Sequence, residues 1–321
     1  MSIAVYAGGA LGAYGFPDGH PFGPDRLDAF QHELRRLGLE RRVVLGAPST
    51  CTRADLLRFH TEEYVARVEW QSGHGEGYLD YGDTPAFPGV YDAARTVVGT
   101  VLDAARGLLA KRHAGAFVPI AGLHHARREG AAGFCVFNDV GVLVEWLRAE
   151  HGLRRIAYVD IDAHHGDGVY YGFESDPDLV FADMHEDGRF LYPGTGRADE
   201  TGIGAAQGTK LNVPLPPGAD EAAFHAAWPE VEAFVRAARP QFFILQAGAD
   251  SIAGDPLTHM CFTPACHGHA ARRLAALAHE QGAGLLALGG GGYDRGNLAA
   301  AWCAVVAGML ETCTAARDAR A

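Results

Sequence analysis

The sequence predicts an α/β fold, a mostly parallel central β-sheet with helices on both faces. Three observations predict it. Short apolar runs with the character of buried strands alternate with segments of helical periodicity along the whole chain. Polar, glycine-rich clusters follow at least four of those runs, around His124, Asp162, Asp255 and Tyr293. Open parallel sheets place ligand sites at the carboxyl ends of their strands, which is where these clusters fall. Finally, no linker, low-complexity tract or repeat divides the 321 residues, so residues 1–321 are expected to form one domain.

Ile3–Tyr6 reads as the first strand, followed by a glycine-rich loop, Gly8 to Gly23, that contains His20-Pro21. Asp25 precedes a helix with Leu27, Phe30, Leu34 and Leu37 at helical spacing. Val43–Leu45 is a short strand. Thr52 is the N-cap expected for a helix over Ala54–Phe59, and Thr61-Glu62-Glu63-Tyr64 begins another. Gly73 to Pro88 mixes Gly, Asp, Tyr and Pro without periodicity, and loops this long in compact domains are often functional. Val90 to Leu109 is a long helix. Strand Ala116–Ile120 runs into Gly122-Leu123-His124-His125, and Asp139 to Ala149 is helical. Strand Ile156–Val159 opens the densest polar cluster in the chain. Val169–Phe173 starts a short helix, Leu179–Ala182 is a strand, and Met184 to Gly208 reads as loop around Pro193-Gly194-Thr195-Gly196. Strands are expected at Leu211–Val213, Phe242–Gln246 and Leu285–Leu288, and helices at Ala219–Ala238, Pro264–Gln281 and Gly296–Leu310.

Composition narrows the class. The formal net charge of -12 argues against a nucleic-acid partner and suits a cationic substrate. Six cysteines without a Cys-x-x-Cys pair read as reduced thiols of a cytoplasmic protein. The N-terminus lacks the pattern of a secretory signal, and no apolar run reads as long enough for a membrane span.

The chemistry centres on Asp160-Ile161-Asp162-Ala163-His164-His165-Gly166-Asp167-Gly168. Asp162 and His164 are two apart, so in extended chain both side chains point the same way, as a metal-ligand pair would. Three acids and two imidazoles in eight residues are too costly at a strand end without an ion. A catalytic zinc takes three protein ligands and keeps an open position. Asp250 and Asp255 are both candidates for the third, and spacing does not choose between them. His124-His125 reads as an acid–base pair, with Asp160 and Asp167 as surplus carboxylates that would fix tautomers and set unequal pKa values. Tyr293 follows four glycines and is positioned to donate to a developing oxyanion.

These stretches resemble the zinc-dependent histone deacetylase family of the arginase–deacetylase superfamily. The similarity runs from His20-Pro21 to Tyr293. It includes Asp83-Thr84-Pro85-Ala86-Phe87-Pro88-Gly89, Gly122 to Ala126 with Gly133-Phe134-Cys135, the run Val159 to Gly168, Gly248 to Pro256, and Gly290 to Tyr293. The resemblance implies the arginase/deacetylase fold and one zinc held by Asp162, His164 and Asp255, with Asp250 a structural residue. It implies His125 as general base and acid backed by Asp167, and His124 as its electrostatic partner backed by Asp160. Tyr293 would polarise the acyl carbonyl, Gly133 and Phe134 would line the alkyl slot, and Asp83 would hold substrate backbone amides. Potassium is implied near Asp160, Asp162 and His164. The implied reaction is deacetylation of acyl-lysine in proteins or peptides. Its alternatives are an acetylpolyamine or small acylated-metabolite amidohydrolase, a dimanganese ureohydrolase, and a non-catalytic acyl-lysine binder. The chain departs from the family at Asp183-Met184-His185, where relatives carry a neutral residue at the potassium position, and at Leu257 to Phe262, where His259 is additional.

Overall fold

The structure, a computed structural model, describes residues 2–318, and side chains as far as Cys313. Eight strands form one sheet: β1 (Ile3–Tyr6), β2 (Val44–Gly46), β3 (Gly115–Val118), β4 (Ile156–Asp160), β5 (Leu179–Glu186), β6 (Lys210–Leu215), β7 (Phe242–Gln246) and β8 (Leu285–Leu288). Their spatial order is β2-β1-β3-β8-β7-β4-β5-β6, and every neighbouring pair is parallel. β3, β4, β7 and β8 are buried at every position. Continuous apolar runs of this kind belong to strands covered on both faces, which is why the sequence shows no alternation there.

Among the described residues the helices are α1 (Asp25–Arg36), α2 (Arg53–Leu56), α3 (Glu62–His74), α4 (Val90–Leu109), α5 (Asp139–His151), α6 (Asp167–Gly172), α7 (Glu221–Ala238), α8 (Pro264–Glu280) and α9 (Arg295–Asp318). Their starts follow local chemistry. Thr61 caps α3 by accepting from the Tyr64 N–H, Asn138 caps α5 through Gly141, and Asp220 caps α7 through Ala222 and Ala223. Gly75 and Gly152 end α3 and α5 in the left-handed conformation. α9 packs against α1 and α8, while α4 packs against α3 and α5.

Two expectations change. β5 runs on past its expected limit at Ala182 through Asp183, Met184, His185 and Glu186, the last three within the stretch expected as loop. The register Met184↔Val213 to Glu186↔Leu215 supplies the backbone partners that hold these polar residues in the strand. The stretch Arg295–Cys313 of α9 is, by length and composition, apolar enough to cross a membrane. Its apolarity has a local account, since more than half of it is buried against the rest of the fold.

Candidate active site

Four adjacent strands bring the predicted chemistry together. In the spatial order β3, β8, β7, β4, their carboxyl ends lead to the two histidines, Tyr293, Asp250, and the Asp160–Asp167 run. Just beyond β4, the Asp160 carboxylate accepts from the Asp162 N–H at 3.0 Å, and the Asp162 carboxylate accepts from the His164 N–H at 3.0 Å. These bonds turn the segment so that Asp162 and His164 share a side, as their spacing predicts.

His164 Nδ1 lies 3.1 Å from Asp162 Oδ1 and 3.0 Å from Asp250 Oδ2. All three residues are buried, and their ligating atoms lie within 4.8 Å of one another. One Nδ1–H can serve only one carboxylate well, and the three groups converge as donors that could hold a cation. Burial opposes charge on His164, yet Asp162 and Asp250 outweigh it and hold the imidazole up at about 10. Burial, then the charge of Asp162, pushes Asp250 up to about 7. Two carboxylate oxygens and one imidazole nitrogen around a buried seat fit a divalent ion such as zinc.

Asp255, the third ligand that the resemblance implies, stands outside this cluster, and Asp250 occupies that place in it. Asp255 Oδ1 accepts from the Leu257 N–H at 3.0 Å and Oδ2 from the Tyr293 N–H at 2.8 Å. Its carboxylate ties the loop after β7 to the loop after β8. Asp250 lies in the first turn after β7, where Oδ1 accepts from the Ala163 N–H at 2.9 Å and Oδ2 faces His164.

The histidines are paired with the acids expected of them. His124 Nδ1 is 2.8 Å from Asp160 Oδ2, which also accepts from the Tyr158 hydroxyl. His125 Nδ1 is 2.6 Å from Asp167 Oδ1, and the two Nε2 atoms are 3.1 Å apart. Burial opposes charge on His124, but Asp160 and Asp162 outweigh it and raise the group to about 10. Burial and the neighbouring His124 lower His125 to about 4. The pair therefore holds one proton-rich and one proton-poor imidazole.

Supports for these residues escaped the sequence reading. Asp139, read only as a helix start, accepts from the N–H groups of Gly122 and Leu123, both at 2.7 Å, and so clamps the turn that presents His124. Asn138 donates to the Ala126 carbonyl at 2.8 Å on the other side of the histidines. Gln246 at the end of β7 donates to Asp162 Oδ2 at 2.8 Å. Tyr192, directly before the rim motif Pro193 to Gly196, sets its ring edge-on to His125 at 5.1 Å. That position was the available signal for Tyr192. The apolar strand around Gln246 hid its polar role.

Gly133 and Phe134 have φ of 52° and 67°. Left-handed backbone is expected of glycine but costly for phenylalanine. A Cβ on Gly133 would run into the His125 ring. Phe134 is held by its N–H donating to Thr84 Oγ1 at 3.1 Å and its carbonyl accepting from the Tyr14 hydroxyl at 2.7 Å. Its ring meets Tyr293 edge-on at 5.7 Å and His20 at 4.5 Å. Burial, then the charges of Asp250 and Asp162, raise the Tyr293 phenol well above its ordinary value, so it remains an O–H donor at neutral pH. Asp83 is exposed, and its carbonyl lies 3.1 Å from His20 Nε2, which ties this loop to the slot.

At the departures, the buried Asp183 carboxylate faces His185 Nδ1 at 2.7 Å and accepts from the Gly166 N–H at 2.8 Å. His185 Nε2 faces the Gly196 carbonyl at 2.9 Å. Both ring nitrogens meet acceptors, so His185 is doubly protonated. The position thus carries an internal counter-charge, and the arrangement gives potassium no support. His259 caps the buried Glu186 with its N–H at 2.9 Å and its Nδ1 at 2.8 Å.

Comparison with known proteins places the chain in a family. Residues 20–309 match the histone deacetylase domain. The chain is 34% identical to the acetoin utilization protein AcuC of Bacillus subtilis, across 91% of this chain and 78% of that protein. It is 37% identical to a probable deacetylase of Archaeoglobus fulgidus, across 86% and 77%, and 31% identical to histone deacetylase RPD3 of Saccharomyces cerevisiae, across 94% and 70%. The crystal structure of the HDA15 HD domain superimposes with a TM-score of 0.89 at 30% identity, covering 97% of this chain and 90% of that one. These matches support a hydrolase that acts on acetyl amides. The chain belongs to the histone deacetylase family.

Proposed function

We propose that this protein hydrolyses N-acyl amides of the acyl-lysine type, with a divalent ion, most simply zinc, held by Asp162 Oδ1, His164 Nδ1 and Asp250 Oδ2. The observation that carries the reading is the pair of buried His–Asp couples beside a buried cluster of two carboxylates and an imidazole that could hold a cation. When bound, zinc supplies Lewis acidity and acidifies water at neutral pH.

The chain's own residues do the rest. His125 Nε2 offers its lone pair to a proton of the attacking water, while Asp167 holds the Nδ1–H and so fixes the tautomer. His124, kept protonated by Asp160, sets positive charge beside the transfer. The proton on His125 then passes to the departing amine. The Tyr293 hydroxyl donates to the acyl oxygen as negative charge builds there. The rings of Phe134 and Tyr192 wall the approach, and Asp83 on the rim accepts from substrate N–H groups.

Turnover of a fluorogenic acetyl-lysine peptide, with metal content measured on the same sample, tests the proposal. The expected result is hydrolysis with about one zinc per chain, abolished by a hydroxamate chelator. Hydrolysis of acetylpolyamines alone would move the substrate to small amines. Two manganese ions without amide hydrolysis would sink the reading in favour of a ureohydrolase.

A further inference from the structure

Gln246 is completely buried at the carboxyl end of β7, and nothing above gives it a part in the reaction. We infer that Gln246 is a positioning residue that makes Asp162 a one-oxygen ligand, and so sets the coordination number of the ion that the cluster holds. The inference rests on the metal reading proposed above.

The amide has a single possible orientation. Its Oε1 accepts from the Gly248 N–H at 2.7 Å, a group that can only donate. Nε2 is therefore the end that faces Asp162 Oδ2 at 2.8 Å, and its second proton points to the Gly122 carbonyl at 3.3 Å. Nε2 also lies 3.4 Å from His124 Nδ1, but that nitrogen directs its own proton at Asp160.

Asp162 Oδ2 receives a second donor, the Gly291 N–H at 2.9 Å. Two donors occupy this oxygen, which leaves Oδ1 as the one facing His164 Nδ1. Backbone passes close to this carboxylate, since a Cβ on Gly248 would collide with Asp162, and one on Gly291 would lie 3.0 Å from Asp162 Oδ2. Asp250 is treated alike, its outer oxygen held by the Ala163 N–H. Each acid thus offers one oxygen, and with one nitrogen the protein supplies three ligands with room for exchangeable ones. A carboxylate released from Gln246 could bind through both oxygens. Added oxygen ligands favour higher coordination and the harder ions, such as manganese, over zinc.

The test uses the full chain stripped of metal. Zinc affinity is measured by competition with a chromogenic chelator, and the visible spectrum is recorded with cobalt in place of zinc. Gln246→Met should weaken zinc by about 10- to 100-fold, the usual effect of losing a partner behind a metal ligand. The intense cobalt bands of low coordination should fade toward the weak bands of six-coordination, while the melting temperature of the metal-free chain shows that the variant is folded. A misfolded Gln246→Met is replaced by Gln246→Glu, which keeps the length and the Gly248 contact but, ionised, has no donor for Asp162. It should shift affinity and spectrum the same way. A folded variant with wild-type zinc affinity and cobalt spectrum overturns the inference alone. An unsubstituted chain that binds no zinc overturns the metal reading and this inference with it.

Discussion

Asp250 and Asp255 stand five residues apart at one strand end, and the structure gives them different work. Asp250→Asn should leave the purified protein with little zinc, because it removes a negative oxygen facing His164. Asp255→Asn should keep its zinc and lose turnover, because its carboxylate orients the Tyr293 backbone rather than the ion. Metal analysis beside kcat separates the two. Tyr293→Phe should lower kcat by a factor on the order of 10² to 10³, as for other lost oxyanion donors, with KM little changed. Gly133→Ala should cost about 10²-fold in kcat, the scale of a misplaced catalytic group, because its methyl would displace the His125 ring. Wild-type activity in that variant would show that the ring has room to yield. Asp162, His164, His124 and His125 sit where local spacing alone brings side chains together. The choice between Asp250 and Asp255 was not legible in that way. Two acids at one strand end look alike until the partners from Leu257 and Tyr293 are known, and those partners are set by folding.

Strands and helices were legible where periodicity is strong. β1, β7 and β8 keep their expected limits, as does α4, because each is an apolar run between clear breakers. The extension of β5 was hidden because Asp183, His185 and Glu186 are polar and buried, with partners from distant loops. α7 holds Pro229 within its length, on the exposed side. Proline there forfeits a backbone hydrogen bond, so Pro229→Ala should raise stability by about 1–2 kcal/mol, read as an upward shift in Tm. The segment between α2 and α3 contributes a pH-dependent tie. His60 Nε2 accepts from the Asn138 N–H at 2.9 Å, and Nδ1 faces the Arg128 carbonyl at 3.3 Å. Burial lowers His60 from 6.5 to about 3. The unfolded chain therefore binds this proton first as the pH falls. The contribution of His60 is complete above about pH 6.5 and is lost progressively toward its folded value. In denaturant titrations, His60→Gln should lose stability less steeply below about pH 6, by up to about 1.4 kcal/mol per pH unit. Equal slopes for the two proteins would mean that this histidine does not titrate on unfolding.

At the scale of the whole molecule, the predicted parallel sheet and the grouping of polar clusters at its carboxyl edge agree with the structure, whereas the order of strands was beyond sequence patterns. That order has a consequence for how the protein is made. β3 and β4 lie on either side of β8 and β7, the last two strands in the chain. A nascent chain that has emerged as far as β6 holds the two halves of its sheet without the pair that joins them. The inner edges of β3 and β4 then offer unpaired backbone groups to any other strand. Late, long-range closure of this kind is slow and leaves the incomplete chain prone to association. Fragments ending before Phe242 should therefore aggregate, while the full chain should acquire protease resistance only once β7 and β8 are in place. The gap at the middle of the sheet closes in the same step that brings Asp250 and Tyr293 to the histidines, so the candidate site takes shape only when β7 and β8 pair.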